Sequence, residues 1–342
     1  MRVLIVGRCF GYAASGCASA HGVELRDIEI ARAIARRGHD VHMVSTTVGR
    51  TDDGLFDRVP WSSVEPRKYD AIVLSEIVGH RMLSKQPRFD DAMAHPNVIG
   101  VFDGIHKDDH ETEYVRAVGM TTPNGVVEYQ RRHPGKDVFL LPWAMTDVPL
   151  DVRSPWPDAR PRAIYLGIVN DRFLDAMGKL AAAGDVEVWI AALFLVDGRF
   201  GGVDDACRAA QVHPGIRFLS DVIPQGSAAH GPVRCGAAHA HLAHADVGLN
   251  FTLSSSTNVI NCKLADYLGA GMRVVSEEGA VNNGDVVTLR AGRIVPWNDP
   301  ATFCRAVAEE ACVKHDRRNA AARARALCSW SDVAGRILEH AR

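Results

Sequence analysis

The sequence predicts two doubly wound α/β domains joined by a linker, and three observations support this fold class. Short apolar runs alternate with helical patterns along the chain, which is typical of parallel sheets covered by helices on both faces. A proline-rich stretch at residues 149–161 interrupts this alternation and has the composition of a linker. The length of 342 residues also exceeds what a single core usually organises.

The first domain begins with an apolar run at residues 2–6, which predicts a strand ending at Gly7. Apolar residues at helical spacing then predict a helix from about Val23 to Arg36, followed by a strand at residues 40–45. Two parallel strands need a crossover of this length. Further strands are predicted at residues 71–75, 98–102, 119–122 and 138–141.

The alternation resumes after the linker. A strand at residues 163–167 precedes a helix at residues 171–183, and a short helix is predicted at residues 263–269. The remaining strands are predicted at residues 186–191, 216–219, 246–250 and 273–276.

The predicted elements define the domain organisation. The assignment is residues 1–150 for a first domain, 151–326 for a second, and 327–342 for a terminal helix packing back toward the first. Ligands of doubly wound sheets bind outside the carboxyl ends of the strands. The facing loops of both domains are therefore expected to line a cleft.

Composition limits the possible partners and the compartment. A formal net charge of -2 and a pI near 6.7 exclude a global attraction to nucleic acid or to an anionic membrane. Eight cysteines without a C-x-x-C pair indicate reduced thiols. With neither a signal peptide nor a long apolar stretch in this sequence, we expect a cytoplasmic protein without a transmembrane segment. No pattern specifies an oligomeric state.

The first segment of chemical interest is the loop GRCFGYAASGCASAHG at residues 7–22. It contains neither a P-loop nor a proper dinucleotide fingerprint. Its small residues suit a backbone that passes close to a ligand, although a flexible surface loop has the same composition. The candidate acceptor-side residues in this loop are Gly11, Ser15, Gly16, His21 and Gly22.

The second segment is residues 250–279, where a strand leads through a small polar loop into a short helix. Amides at a helix start favour phosphate, and Lys263 adds a positive charge. Asp266 lies three residues later on the same helical face. A diphosphate near Lys263 and ribose hydroxyls near Asp266 would fit this pattern; the alternative is an exposed Lys–Asp helix pair. The candidate donor ligands in the loop are Ser254, Ser255, Ser256, Thr257 and Asn258.

Residues 263–275, KLADYLGAGMRVV, resemble the K-x-x-E-Y-L-A-A-G-x-P-V-V segment of retaining GT-B glycosyltransferases of family four. Residues 22–44 resemble that family's first helix with R-R-G-H-x-V, and residues 140–148 resemble its V-I-P-N-G-V-D turn into the second domain. Residues 294–307 resemble its D-P helix start, and residues 327–339 resemble its F-S-W terminal helix. The resemblance therefore runs in order over nearly the whole chain.

This resemblance implies a GT-B fold and a glycosyltransferase that moves a sugar from a UDP- or GDP-sugar to a hydroxyl-bearing acceptor. It implies retention of the anomeric configuration, with no metal or other cofactor required. Arg172 falls near the family's phosphate-binding residues. The family usually has two glutamates eight positions apart, and here Asn258 and Asp266 stand at those positions.

The resemblance also places Asp103 where the family has a reaction-centre histidine, with His106 one short loop away. A carboxylate or imidazole at a strand's carboxyl end suits acid–base chemistry. Alternatively, Asp103 begins a turn with Gly104, which is a common structural use of this residue pair. His106 and His110 have the spacing of two metal ligands, but no third ligand stands at a defined distance, so no metal site is predicted.

Several acceptors and functions remain compatible with these residues. The acceptor could be a small molecule, a glycan or a hydroxylated base in DNA. Two other functions would use the same nucleotide-sugar site: a nucleotide-sugar epimerase and a non-catalytic nucleotide-sugar-binding protein.

Overall fold

Two parallel α/β sheets organise the chain, each within a compact unit of its own. The computed structural model describes residues 1–7, 22–45, 48–75, 88–102, 114–148, 150, 160–169, 171–194, 215–219, 241–251, 262–296 and 299–341. The first unit comprises Met1–Ala144 and Cys328–Arg342, and the second comprises Met145–Thr257 and Asn261–Leu327.

The first unit alternates strands with helices from its amino end. Its elements up to residue 140 are β1 (Arg2–Val6), α1 (Gly22–Arg36), β2 (Asp40–Val44), β3 (Gly49–Arg50), β4 (Asp57–Val59), β5 (Ala71–Ser75), α2 (Phe89–Met93), β6 (Val98–Phe102), β7 (Ala117–Met120), α3 (Pro123–Arg132) and β8 (Asp137–Leu140). Two 3-10 turns, Trp61–Ser63 and Pro66–Lys68, lie between β4 and β5.

The second unit continues the alternation. Its elements are β9 (Arg162–Val169), α4 (Asp171–Ala183), β10 (Glu187–Phe194), β11 (Ile216–Phe218), β12 (Val247–Asn250), α5 (Cys262–Gly269), β13 (Arg273–Glu277), α6 (Asn283–Leu289), β14 (Gly292–Val295), α7 (Pro300–Ala311) and α8 (Arg317–Leu327). The terminal helix α9 (Trp330–His340) belongs to the first unit.

In each sheet the chain places strands first on one side of its initial strand and then, after a reversal, on the other side. The order in the first sheet is β3-β4-β2-β1-β5-β6-β7-β8, with β3 antiparallel to β4 and the other pairs parallel. The order in the second is β11-β10-β9-β12-β13-β14, with parallel pairs throughout. The reversals fall between β1 and β5 and between β9 and β12, where doubly wound sheets place their ligands.

The end of β7 is set by the cap of the helix that follows it. The strand predicted at residues 119–122 is β7, which ends at Met120 because Thr122 caps the following helix. The Thr122 side chain accepts a hydrogen bond from the Gly125 amide at 2.9 Å, and Pro123 occupies the first helical turn. A cap residue has non-helical backbone geometry, so the turn and the helix start displace the strand toward its amino end.

Capping residues also begin the late helices. Asp299 accepts hydrogen bonds from the amides of Ala301 and Thr302 at the start of α7. Ser329 and Asp332 form a reciprocal capping box at the start of α9. Within the described residues, no helix has both the length and the apolar character needed to cross a membrane.

Gly248 shows how closely α5 packs on the second sheet. It lies in β12, and a Cβ atom built there would lie 2.4 Å from the Tyr267 ring. The ring therefore occupies the space that any larger residue at position 248 would need. The close approach places the side chains of α5 at the reversal between β9 and β12.

We predict that Gly248→Ala destabilises the protein by about 1 to 3 kcal/mol, because the added methyl group overpacks the contact with Tyr267. The urea midpoint, followed by circular dichroism, measures the change. Gly284→Ala in α6 is the matched control, since a Cβ there meets no atom within 4 Å. Equal midpoints for the two variants would contradict this account of the contact.

Candidate functional site

The phenol of Tyr267 joins two strands that separate at the reversal of the second sheet. Strands β12 and β9 pair through Val247 and Gly248. Beyond this register, the Tyr267 hydroxyl accepts a hydrogen bond from the Leu166 amide at 2.8 Å and donates to the Leu249 carbonyl at 3.3 Å. Burial raises the pKa of Tyr267 well above its ordinary value, so the hydroxyl keeps its proton.

One helical turn earlier, Lys263 contacts strand β9 and the residue that follows β12. Its ammonium donates to the Phe251 carbonyl at 2.8 Å and to the Tyr165 hydroxyl at 3.4 Å, and it lies 4.8 Å from the Tyr165 ring centroid. An ammonium carries three donors. Among the described residues, these two acceptors are its hydrogen-bond partners. Lys263 is 9% exposed, so its charge is poorly screened by water.

Asp266 follows on α5 and is equally buried, at 8% exposed. Its Oδ1 accepts a hydrogen bond of 2.5 Å from the Thr146 hydroxyl, which comes from the segment entering the second unit. The alternative of an exposed Lys–Asp helix pair is therefore wrong, because both side chains lie inside the protein. Lys263 and Asp266 are instead held by separate hydrogen-bond partners.

Further acidic and polar side chains surround Lys263. Burial disfavours the charged ammonium and lowers the pKa of Lys263 to about 8, while the ionisable groups of Cys262, Glu277 and Asp266 act in the opposite direction. Glu277 ends β13 at the carboxyl edge of the sheet. Glu277 is not among the residues predicted from the sequence, although a carboxylate at the end of an apolar strand is a usable signal.

A chain of polar side chains continues along this edge. The Asn250 amide donates to the Ser276 hydroxyl at 2.7 Å, and that hydroxyl donates to the Asn283 amide oxygen at 2.5 Å. Asn283 donates in turn to the Glu277 carbonyl at 2.8 Å. These bonds tie the ends of β12 and β13 to the start of α6.

The first unit has a buried polar cluster at its own reversal, between β1 and β5. Arg26 donates to the Ser75 hydroxyl at 2.6 Å, and Ser75 donates to the Asp27 carboxylate at 2.5 Å. Arg26 and Asp27 are 2% and 1% exposed, and their closest charged atoms lie 3.5 Å apart. Gly7, directly after β1, has no space for a side chain because a Cβ would lie 2.0 Å from Asp27.

This cluster is not among the site residues predicted from the sequence, although the sequence contains a signal for it. Asp27 stands at helical spacing with Ile30, Ala31 and Ile34, which are fully buried. A carboxylate in the middle of an apolar face requires partners there. Arg26 lies 5.8 Å from the ring centroid of Trp143 and thus pairs with both an acid and an aromatic face.

The structure describes only part of the predicted site. Gly22 is the first residue of α1, and Arg172 is the second residue of α4. Lys263 and Asp266 lie together on α5. The other predicted site residues lie outside the described residues: Gly11, Ser15, Gly16, His21, Asp103, His106, Ser254, Ser255, Ser256, Thr257 and Asn258. Among the described residues, no group of three or more His, Cys, Asp or Glu side chains could hold a metal ion.

Comparison with known proteins adds information on the fold. No protein family profile matches the sequence, and no curated protein sequence matches it. Sucrose-phosphate synthase from Thermosynechococcus elongatus has a similar structure, with a TM-score of 0.63 at 13% identity over 99% of this chain and 97% of that one. The fold is GT-B.

Two further glycosyltransferases have similar structures. AviGT4, involved in avilamycin A biosynthesis, has a TM-score of 0.61 at 13% identity, covering 100% of this chain and 97% of its own. WaaG, involved in lipopolysaccharide biosynthesis, has a TM-score of 0.56 at 12% identity, covering 100% and 98%. The likeness spans both GT-B domains and confirms the predicted fold class.

The lowered pKa of Lys263 predicts a pH-dependent stability. Unfolded lysine has a pKa of about 10.4, so between about pH 8 and 10.4 the unfolded state binds more protons than the folded state. The contribution of Lys263 to stability therefore rises with pH in this window. We expect a gain of about 1 to 2 kcal/mol between about pH 7.5 and 9.5 that Lys263→Met removes.

Urea unfolding of the wild type and the variant at both pH values measures this difference. Lys179→Met, at an exposed position of α4, is the matched control and is expected to keep the wild-type pH dependence. A Lys263→Met variant with the full wild-type gain would show that another group is responsible.

Proposed function

We propose that this protein is a glycosyltransferase that binds a UDP- or GDP-sugar on its second unit and transfers the sugar to a hydroxyl-bearing acceptor. The observation that carries the proposal is the placement of buried Lys263 and Asp266 one helical turn apart on α5, at the reversal of the second sheet. The similar structures named above are a sucrose-phosphate synthase and two glycosyltransferases, and the likeness covers nearly their full lengths.

The diphosphate and the ribose of a nucleotide-sugar donor suit Lys263 and Asp266, respectively. A diphosphate is anionic, and the poorly hydrated Lys263 ammonium has one N–H beyond those used by the described acceptors. A ribose offers two hydroxyl donors, which a carboxylate such as Asp266 accepts. Their spacing of one helical turn allows one ligand to contact both residues.

Transfer requires stabilisation of the departing nucleoside diphosphate while positive charge develops at the anomeric carbon. In the proposal, Lys263 meets the diphosphate, aided by Arg172 and by the amides of residues 254–257. No metal is assigned to this role. Retention of configuration follows the family resemblance, and Asn258 would bond a sugar hydroxyl as both donor and acceptor.

The acceptor side is assigned to the first unit. Strand β6 ends at Phe102, and Asp103 and His106 follow it in the sequence. A carboxylate and an imidazole there suit proton transfer at an acceptor hydroxyl. The small residues of the loop before α1, from Gly11 to Gly22, would contact the acceptor. Small molecules, glycans and hydroxylated DNA bases are the acceptor classes to be tested.

The first test is donor binding. Calorimetry with a panel of UDP- and GDP-sugars, without added metal, is expected to identify at least one ligand. Asp266→Ala is expected to weaken binding of that ligand by about 1 to 3 kcal/mol, because a charged hydrogen-bond partner of the ribose is lost.

Glu309→Ala is the matched control, since it removes an exposed carboxylate of the same unit from α7. Its donor affinity is expected to equal that of the wild type. If the folded wild type binds no member of the panel, the proposed function is wrong. An unchanged affinity in folded Asp266→Ala would remove Asp266 from the donor site.

The second test is transfer. Labelled donors are incubated with a mixed acceptor extract that includes hydroxymethylated DNA, and mass spectrometry identifies the molecule that gains a sugar. Asp103→Ala and His106→Ala are expected to lower the transfer rate about 10²- to 10⁴-fold each, with donor affinity nearly unchanged, because they would act in proton transfer.

Asp91→Ala, an exposed aspartate of α2 in the same unit, is the control for Asp103. Wild-type transfer rates in both Asp103→Ala and His106→Ala would place the reaction centre elsewhere. Donor turnover without any modified acceptor would instead favour the epimerase, and binding without turnover would favour a binding protein.

A further inference from the structure

Thr146 and Asp266 form a buried contact between the segment that enters the second unit and the helix that carries the proposed donor residues. The hydroxyl of Thr146 donates to Asp266 Oδ1 at 2.5 Å, and both residues are 8% exposed. The two positions are 120 residues apart in sequence. Burial protects this hydrogen bond from competition by water, so it holds the carboxylate in one orientation.

The backbone around Thr146 is fixed against the same helix. A Cβ at Gly269 would lie 2.0 Å from the Thr146 carbonyl oxygen, so helix and segment are in direct backbone contact. Arg325 donates to the Gly269 carbonyl at 3.2 Å and pairs with Asp147 at 3.0 Å. The hydrogen bond of Thr146, its backbone contact with Gly269 and the ion pair of the neighbouring Asp147 together hold this segment against α5.

A neutral hydrogen-bond donor orients a carboxylate without neutralising it. A lysine or arginine in place of Thr146 would neutralise Asp266, whereas a hydroxyl orients one oxygen and leaves the negative charge in place. Fixing Oδ1 also fixes the direction of Oδ2, because the carboxylate is planar. An oriented carboxylate binds ligand hydroxyls with less loss of side-chain freedom.

We infer that Thr146 is a positioning residue for donor binding, which holds the Asp266 carboxylate in the orientation that accepts the ribose hydroxyls of a nucleoside diphosphate. This inference rests on the proposed function. Thr146 acts through Asp266 and does not itself contact the nucleotide. Its removal consequently affects ligands that carry ribose hydroxyls and spares ligands that lack them.

The experiment compares two probes, UDP and 2′,3′-dideoxy-UDP, or the corresponding guanosine pair if the wild type prefers it. Thr146→Val keeps the side-chain shape without the hydroxyl, and Thr146→Ser keeps the hydroxyl. Thr146→Val is expected to raise the Kd for the ribose-containing probe about tenfold, the usual value of a hydrogen bond to a charged group. Its Kd for the dideoxy probe is expected to match that of the wild type.

Two further readouts separate positioning from a general structural role. Thr146→Ser is expected to restore the wild-type Kd for UDP to within about twofold, since it retains the hydrogen bond. In transfer assays, Thr146→Val is expected to raise the KM for the donor while kcat is unchanged. Thr122→Val is the matched control, because it removes another buried threonine hydrogen bond, at the start of α3 in the first unit.

The outcomes distinguish this inference from the proposed function. If the wild type binds neither uridine nor guanosine diphosphate, the donor proposal itself fails. If Asp266→Ala weakens UDP binding and folded Thr146→Val does not, only the positioning role of Thr146 is overturned. Equal weakening of both probes by Thr146→Val also overturns it. Thr146→Ala, which removes the same hydroxyl, replaces the valine variant if that variant does not fold.

Discussion

The second unit depends on one helix that joins two separating strands. Beyond the paired residues of β9 and β12, backbone groups lose their ladder partners, and a buried unpaired amide is unfavourable. The Tyr267 hydroxyl supplies both a donor and an acceptor at this point. One turn earlier, the Lys263 ammonium donates to the Phe251 carbonyl. The helix is thus part of the sheet's hydrogen bonding, and whatever α5 presents to a ligand inherits the rigidity of the sheet.

This arrangement explains why both charged residues of α5 are buried. A helix packed on a sheet cannot expose the face that meets the strands, so the buried Lys263 and Asp266 need protein partners. The carbonyl of Phe251 and the hydroxyl of Thr146 provide these partners without cancelling either charge. The first unit also buries charged side chains, but it does so with a different arrangement. There Arg26 and Asp27 neutralise one another through Ser75, a form of burial that contributes more to a specific geometry than to net stability.

Apolar runs made the fold predictable, and distant contacts made parts of the site unpredictable. Strands β5 and β6 have the predicted bounds, because five consecutive apolar or small residues between polar ones leave little choice. Strand β14 carries exposed Arg293 and Ile294 at a sheet edge and so lacks that signal. Helical spacing alone placed Lys263 and Asp266 together. No local pattern connects Asp266 with Thr146, because their contact depends on how the segment that enters the second unit meets the helix.

The terminal helix α9 has a consequence for synthesis of the protein. It belongs to the first unit, where His340 stacks on Phe139 and Arg336 donates to the Leu140 carbonyl. The second unit therefore stands, in chain order, between two parts of the first. A ribosome releases every residue of the second unit before it releases Trp330. Domains that fold during synthesis usually do so from the amino end. Here the second unit can complete its fold before the first unit has received its terminal helix α9.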